Sequence, residues 1–314
     1  MEKSARVIGV MVLVAGVVGI GAYAAQARLA SNRLVANRLS ANRLSANRLA
    51  ANRLTSNGLD VNGLGASDLL ATADGRSVLS YLVTCALPAD MTLEANQNSC
   101  VVDDDCKEHN QDGTVNNDNP TYTGSCNANI CHYSFPGNLG LAPEWLDQRL
   151  SKEGKGWISA CLLARVNLHD TAEEISIRGA HPALAISPDE ALIYTVEEGA
   201  FYGNVFTRDD EPLIEIACRG EGQGSGAGGL VTRECARPDP ANPGFTKCGF
   251  TFAGDCRDFT PLFPSPFACE RFGSFPLPHS DHGSFYSDCH DSPGLGTWPH
   301  STVFHEVITI FVPQ

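Results

Sequence analysis

The sequence predicts an α+β fold: a disulfide-rich globular domain with two helices followed by a mainly antiparallel sheet. Three observations predict it. Helical apolar spacing is confined to two early segments. Short β-rich runs separated by Gly, Pro and Asp fill the second half. Twelve cysteines are spread over 314 residues. Helices first and strands afterwards is the order of an α+β chain. Hydrophobic residues make up 43% of the chain, enough for a real core.

The first helix is expected from Ser67 to about Leu87. Leu69, Leu70, Val78, Leu79, Leu82 and Val83 give its apolar stripe, and Gly75 is the expected break. The second helix is expected to start at Ser151, an N-cap residue, with Glu153 in the first turn. Trp157, Ile158, Cys161, Leu162, Ala164 and Arg165 follow at helical spacing. Each helix carries one cysteine on its apolar face, so Cys85 and Cys161 are expected to bond and clamp the two helices. Otherwise each would find a partner in the β-rich half.

Strands are expected at 174–178, 192–196, 200–206, 213–217, 250–252 and 303–312. The last is mostly apolar and is expected to lie well buried in a sheet. Residues 95–135 read as a polar, Cys-rich insert. They are dense in Asp and Asn, poor in core material, and expected to close through local pairing of Cys100, Cys106, Cys126 and Cys131.

Ahead of the domain (66–314) stand two segments. Residues 1–27 have the order of a signal peptide. Lys3 and Arg6 precede an apolar run from Val7 to Ala25 that ends in small-x-small triplets. Cleavage is expected. The alternative is an uncleaved anchor, since the run is long enough to span a bilayer. Membrane contact is expected only through an uncleaved leader, and the mature chain is expected to be soluble.

Residues 28–65 carry a five-residue repeat of the form Ala-Asn-Arg-Leu-Ser. Leu recurs from Leu29 through Leu64, and Asn from Asn32 through Asn62. Five residues advance a helix by about 140°, so the leucines would spiral round it. In a strand an odd spacing flips faces at each repeat. A square coil keeps every Leu inside. The tract resembles the pentapeptide-repeat family, whose members form four-sided β-solenoids. Asn and Arg, such as Asn42 and Arg43, stand before most of these leucines, where that family favours Ala and then Asp or Asn. A short solenoid or an unstructured stalk is therefore expected, with a helix the least favoured by the period. In each case its role is spacing or surface attachment.

The compartment follows from sulfur and charge. An even dozen cysteines in a chain with an export leader reads as a disulfide framework. Besides those above, the set comprises Cys218, Cys235, Cys248, Cys256, Cys269 and Cys289. No CxxC pair occurs, which argues against zinc and thioredoxin-like chemistry. The net charge is −14, and residues 28–58 contain six Arg and no acid, so the rest is more acidic still. Such a field repels phosphate backbones, so nucleic acid is not an expected partner.

Several phrases occur together: YLVTCALP (81–88), SACLLARVN (159–167), EGAFYGNVF (198–206), ACRG (217–220), CGFTFAGDC (248–256) and EVIT (306–309). They resemble a group of uncharacterised secreted cysteine-rich proteins of myxobacterial type. That resemblance implies export and a single fold, and implies no activity.

Candidate sites are few. Asp103, Asp105, Asn110 and Asp112, followed by Gly113, faintly copy the alternating oxygens of a calcium loop. The closing Glu is missing, since Asn119 stands there. A solvated acidic loop is the competing reading. Five of the nine His lie near the C-terminus: His279, His282, His290, His300 and His305. His279, His282 and His290, with nearby Asp281, Asp288 and Asp291, are the candidate ligands of a transition metal that would activate water. Exposed turn histidines are the competing reading, and no HExxH is present. Cys126-x4-Cys131-His132 has two residues too many for a haem-attachment motif and reads as a local disulfide. The Gly220–Gly229 run lacks the Lys or following helix of a phosphate loop and reads as a flexible connection. No GxSxG supports serine catalysis, and paired cysteines offer no thiolate nucleophile.

These observations predict an exported protein, secreted, periplasmic or on the outer surface. Its role is expected to be binding or structural, towards an envelope component or extracellular ligand. The rival expectation is a secreted metal-dependent hydrolase using the C-terminal His/Asp cluster.

Overall fold

A computed structural model describes residues 68–98, 122–127, 130–166, 175–207, 213–221, 235–256, 268–272, 283–291 and 302–313. The expected signal peptide and repeat tract lie outside these residues.

The first helical segment is two helices, α1 (Asp68–Ala71) and α2 (Ala73–Ala86). The break falls at Thr72, not at Gly75. The Thr72 Oγ1 accepts a hydrogen bond from the Gly75 amide at 3.0 Å and so caps α2. Gly75 sits inside the first turn because α1 folds back on it. A Cβ there would come within 2.6 Å of the Leu69 carbonyl oxygen. The helix α3 (Lys152–Ala164) starts where its cap residue predicts: Ser151 Oγ accepts from the Gly154 amide at 2.9 Å. Trp157, Ile158, Leu162 and Leu163 are all buried. A disulfide joins Cys85 of α2 to Cys161 of α3 across 76 residues of sequence.

Between α2 and α3 run three antiparallel strands, β1 (Thr92–Asn98), β2 (Thr123–Asn127) and β3 (Ile130–Pro136), with β3 in the middle. This corrects the reading of 95–135 as a coreless polar insert. Ala95, Tyr122, Tyr133 and Phe135 are buried in the main core, and Tyr122 packs its ring 5.1 Å from that of Phe135. Polar residues alternate with these on the opposite face, and counting composition hides that period of two. Cys131 is disulfide-bonded, and residues 126 and 131 stand opposite each other in the β2–β3 register.

The second half builds a five-stranded sheet from β4 (Ser176–Arg178), β5 (Val196–Asn204), β6 (Ile214–Arg219), β7 (Thr251–Asp255) and β12 (Ile308–Val312). Their order across the sheet is β4-β12-β5-β6-β7. All pairings are antiparallel except β6 with β7. The strand expected at 192–196 is displaced. Its first two residues end the helix α4 (Pro188–Ile193), and only its last belongs to β5. Ser187 caps α4, its Oγ accepting from the Glu190 amide. Pro188 at the first helical position fits the fixed φ of proline. The run 303–312 breaks into β11 (Val303–Phe304) and the fully buried β12. Two short pairs complete the described strands: β8 (Glu270–Phe272) with β9 (Phe285–Ser287), and β10 (Cys289–His290) with β11.

The sheet has two covered faces, as strand alternation requires. Phe201, Ala217, Ile308 and Ile310 join the helices in the main core. Ala200, Tyr202, Ile216 and Cys218 point into a second core with Tyr286, Cys256, Cys269, Cys289 and Val307. Ser159 of α3 ties helix to sheet, its Oγ accepting from the Val205 amide at 3.1 Å.

Opening the Cys85–Cys161 bridge by a double Ala substitution is expected to cost about 2–5 kcal/mol. Urea unfolding under oxidising conditions measures it, and an unchanged midpoint contradicts the clamp. In the same assay Thr72→Ala is expected to cost about 1 kcal/mol by removing the cap.

Candidate functional site

Polar chemistry concentrates along β5 and around the second core. β5 supplies two adjacent carboxylates that are almost wholly buried, Glu197 and Glu198. A bulge separates their roles. Gly199 stands opposite Ile310 and Glu197 opposite Phe311, so Glu198 is the extra residue of the bulge. Glu197 Oε1 accepts from the Tyr286 hydroxyl at 2.6 Å and from the Glu221 amide at 3.0 Å. The chain passes so close here that a Cβ on Gly220 would come within 2.8 Å of Glu197 Oε1. Glu198 Oε1 accepts from the Cys235 amide at 3.1 Å. Each carboxylate therefore anchors a different segment to the sheet, as buried polar groups must.

Arg178 on β4 lies beside them. Its Nε donates to Ser176 Oγ, its Nη2 to the Tyr194 carbonyl at 2.7 Å, and its guanidinium stacks 3.7 Å from the Phe311 ring centre. Ser176 in turn donates to Glu190 Oε1 at 2.7 Å. Burial lowers the Arg178 pKa to about 10, while Glu190 and Glu197 pull it back up. The ion stays charged, and the network fastens α4 to the sheet edge.

The C-terminal hairpins carry the remaining chemistry. Among the described residues Asp288 is the one non-glycine with positive φ, at 48°. It joins β9 to β10, and a short polar side chain tolerates that conformation. Its Oδ1 pairs with Nδ1 of His305 and its Oδ2 accepts from Ser287 Oγ. His305 is largely exposed, with 72% of its side chain open. The carboxylate thus orients an exposed imidazole, an arrangement able to relay a proton or ligate a cation. Nearby, Tyr202 donates to the His290 carbonyl at 2.9 Å and packs on Phe304. Burial, then Asp291, pushes the Tyr202 phenol far above its ordinary range, so it remains a neutral donor.

Of the candidate metal ligands, Asp103, Asp105, Asn110, Asp112, His279 and His282 lie outside the described residues, as does His300. His290 is described and half-buried, and its backbone carbonyl is held by Tyr202. The sequence carries no signal for the Asp288–His305 pair as such, because tertiary folding brings together residues 17 apart in the chain. Among the described residues the only group of three or more metal-ligating side chains is Cys218, Cys256 and Cys269. All three are in disulfides: Cys218–Cys256 and Cys269–Cys289. A further bridge joins Cys235 to Cys248.

Comparison with protein-family models, curated proteins and solved structures returns no match for the chain.

Two further groups are electrostatically unusual. Burial lowers the Arg165 pKa to about 9, opposed by Tyr81, and its Nη1 donates to Thr84 Oγ1 at 2.8 Å. Burial raises the Glu215 carboxyl to about 7, and among the described residues no donor reaches its buried Oε1.

The Glu215 shift has a definite sign. Its folded pKa lies above the ordinary value of 4.5, so the folded chain holds the proton more tightly than the unfolded one. The stabilising contribution is complete below that value and is lost as pH rises through about 7. Melting curves of Glu215→Gln against the parent should therefore diverge in favour of the variant across that range. Parallel curves contradict the assignment.

Proposed function

We propose that this chain is an exported protein of the cell envelope or outer surface with a binding or structural role. The observation that carries the reading is the disulfides among the described residues, Cys85–Cys161, Cys218–Cys256, Cys235–Cys248 and Cys269–Cys289, together with the bonded Cys131. Bridges of this density persist in oxidising compartments and are rare in a reducing cytosol. No helix among the described residues is long and apolar enough to cross a membrane. On this reading residues 1–27 direct export, and the five-residue tract at 28–65 holds the domain away from its attachment surface. The acidic body suits a cationic or neutral envelope ligand better than a polyanion.

The Asp288–His305 pair favours the rival reading, a secreted metal-dependent hydrolase. An oriented, exposed imidazole is one component such a site requires. Metal analysis and a chelator-sensitive hydrolase screen, repeated on His305→Ala, separate the two. Activity lost on chelation and on substitution favours the hydrolase.

Fractionation of natively expressed cells, with intact-mass measurement of the recovered chain, tests the primary reading. The expected result is recovery outside the cytoplasm at a mass lacking the leader. Recovery from the cytosol with the leader intact and thiols open to a dye contradicts it.

A further inference from the structure

The four cysteines of the second core come from four separate places: Cys218 in β6, Cys256 just after β7, Cys269 just before β8 and Cys289 in β10. Their two disulfides touch. The sulfurs of Cys218 and Cys269 lie 3.5 Å apart, and those of Cys218, Cys256 and Cys269 all fall within 4.8 Å of one another. Neither sulfur of the 3.5 Å contact carries a proton, so it is a packing contact and not a hydrogen bond. All four residues are 3% exposed or less.

We propose that this cluster is a latent thiolate metal site, which takes a soft, zinc-like divalent cation when the two bonds are reduced. The geometry argument is direct. Zinc binds thiolate sulfur at about 2.3 Å, so a tetrahedral site places its sulfurs about 3.8 Å apart. The Cys218–Cys269 separation is already close to that. Each bonded pair has to part, and Cys289, bonded to Cys269 but outside the group of three close sulfurs, has to turn inward to supply the fourth.

Backbone hydrogen bonds hold these positions alongside the S–S bonds. The Cys256 amide donates to the Arg219 carbonyl at 2.9 Å, the Cys269 amide to the Cys256 carbonyl at 3.1 Å, and the His290 amide to the Ala268 carbonyl at 2.8 Å. β6 and β7 are paired directly. Reduction therefore leaves four thiols gathered in an apolar enclosure with Ala253, Ala268 and Tyr286. The absence of CxxC spacing does not count against the site, because the sheet and not the local sequence assembles it.

The chemistry balances. Each disulfide accepts two electrons and two protons from a dithiol reductant, which is itself oxidised to a disulfide. The metal then displaces the thiol protons to solvent. Reoxidation by a disulfide oxidant, which takes two electrons for each bond formed and with protons from solvent becomes a dithiol, re-forms both bonds and expels the ion. Metal and disulfides thus compete for the same sulfurs, and the ion would guard them from mispairing before oxidation.

The test uses the full chain, produced under reducing conditions with zinc and purified without oxygen or chelator. About one zinc per chain is expected for a site with four thiolates, released when the protein is oxidised. Cobalt substituted for zinc should give thiolate-to-metal charge-transfer absorption. Cys218→Ser with Cys256→Ser should abolish binding, and Cys235→Ser with Cys248→Ser should leave it. A measurement on the unsubstituted chain covers variants that fail to fold: bound zinc should protect Cys218, Cys256, Cys269 and Cys289 from alkylation, read by peptide mass. Absence of zinc, or protection of other cysteines instead, overturns the proposal.

Discussion

Cys218 on β6 is bonded to Cys256, and its sulfur touches that of Cys269, which is bonded to Cys289. One strand of the five-stranded sheet, the end of its parallel neighbour and the C-terminal hairpins therefore meet at a single point. A second cross-link, Cys85–Cys161, does the same for the helices on the opposite face. The covalent bonds matter because the pairings they secure are remote in sequence. β12 inserts between β4 and β5, more than a hundred residues upstream. Closing such loops costs entropy that local contacts do not recover, and cross-links lower that cost by restricting the unfolded chain.

The two faces of the sheet divide the work. The inner face is apolar and continuous with α2 and α3, so it supplies hydrophobic stabilisation. The outer face mixes sulfur with the buried Glu197, tyrosines and Arg178, held by specific partners. Buried polar groups of this kind fix geometry more than they add stability. They position β9 and β10, and through them Asp288, whose left-handed backbone sets the direction of His305.

Much of this is legible in the sequence, for reasons that differ by element. Ser151 marks α3 because a cap is a local signal, and Cys85 and Cys161 share faces because helical period is local too. The burial of β12 follows from its unbroken apolar run. Legibility fails where local and long-range terms compete. Gly75 looks like a helix breaker, yet it is tolerated because α1 needs the room. Leu192 and Ile193 look like strand residues, yet Ser187 and Pro188 start a helix whose Leu192 is 77% exposed. Tyr133 and Phe135 are masked by neighbouring Asp and Asn, whose abundance says nothing about which face they occupy. The site is least legible. Neither the contact of Cys218 with Cys269 nor that of Asp288 with His305 has a spacing signature, since both are made by tertiary folding.

Particular cysteine pairs hold separate segments of the described fold together, and peptide mapping of the oxidised chain without reduction tests this most directly. Cross-linked peptides should join Cys85 to Cys161, Cys218 to Cys256, Cys235 to Cys248 and Cys269 to Cys289. Recovery of these cysteines as free thiols, or joined across the helical and sheet halves, would contradict it.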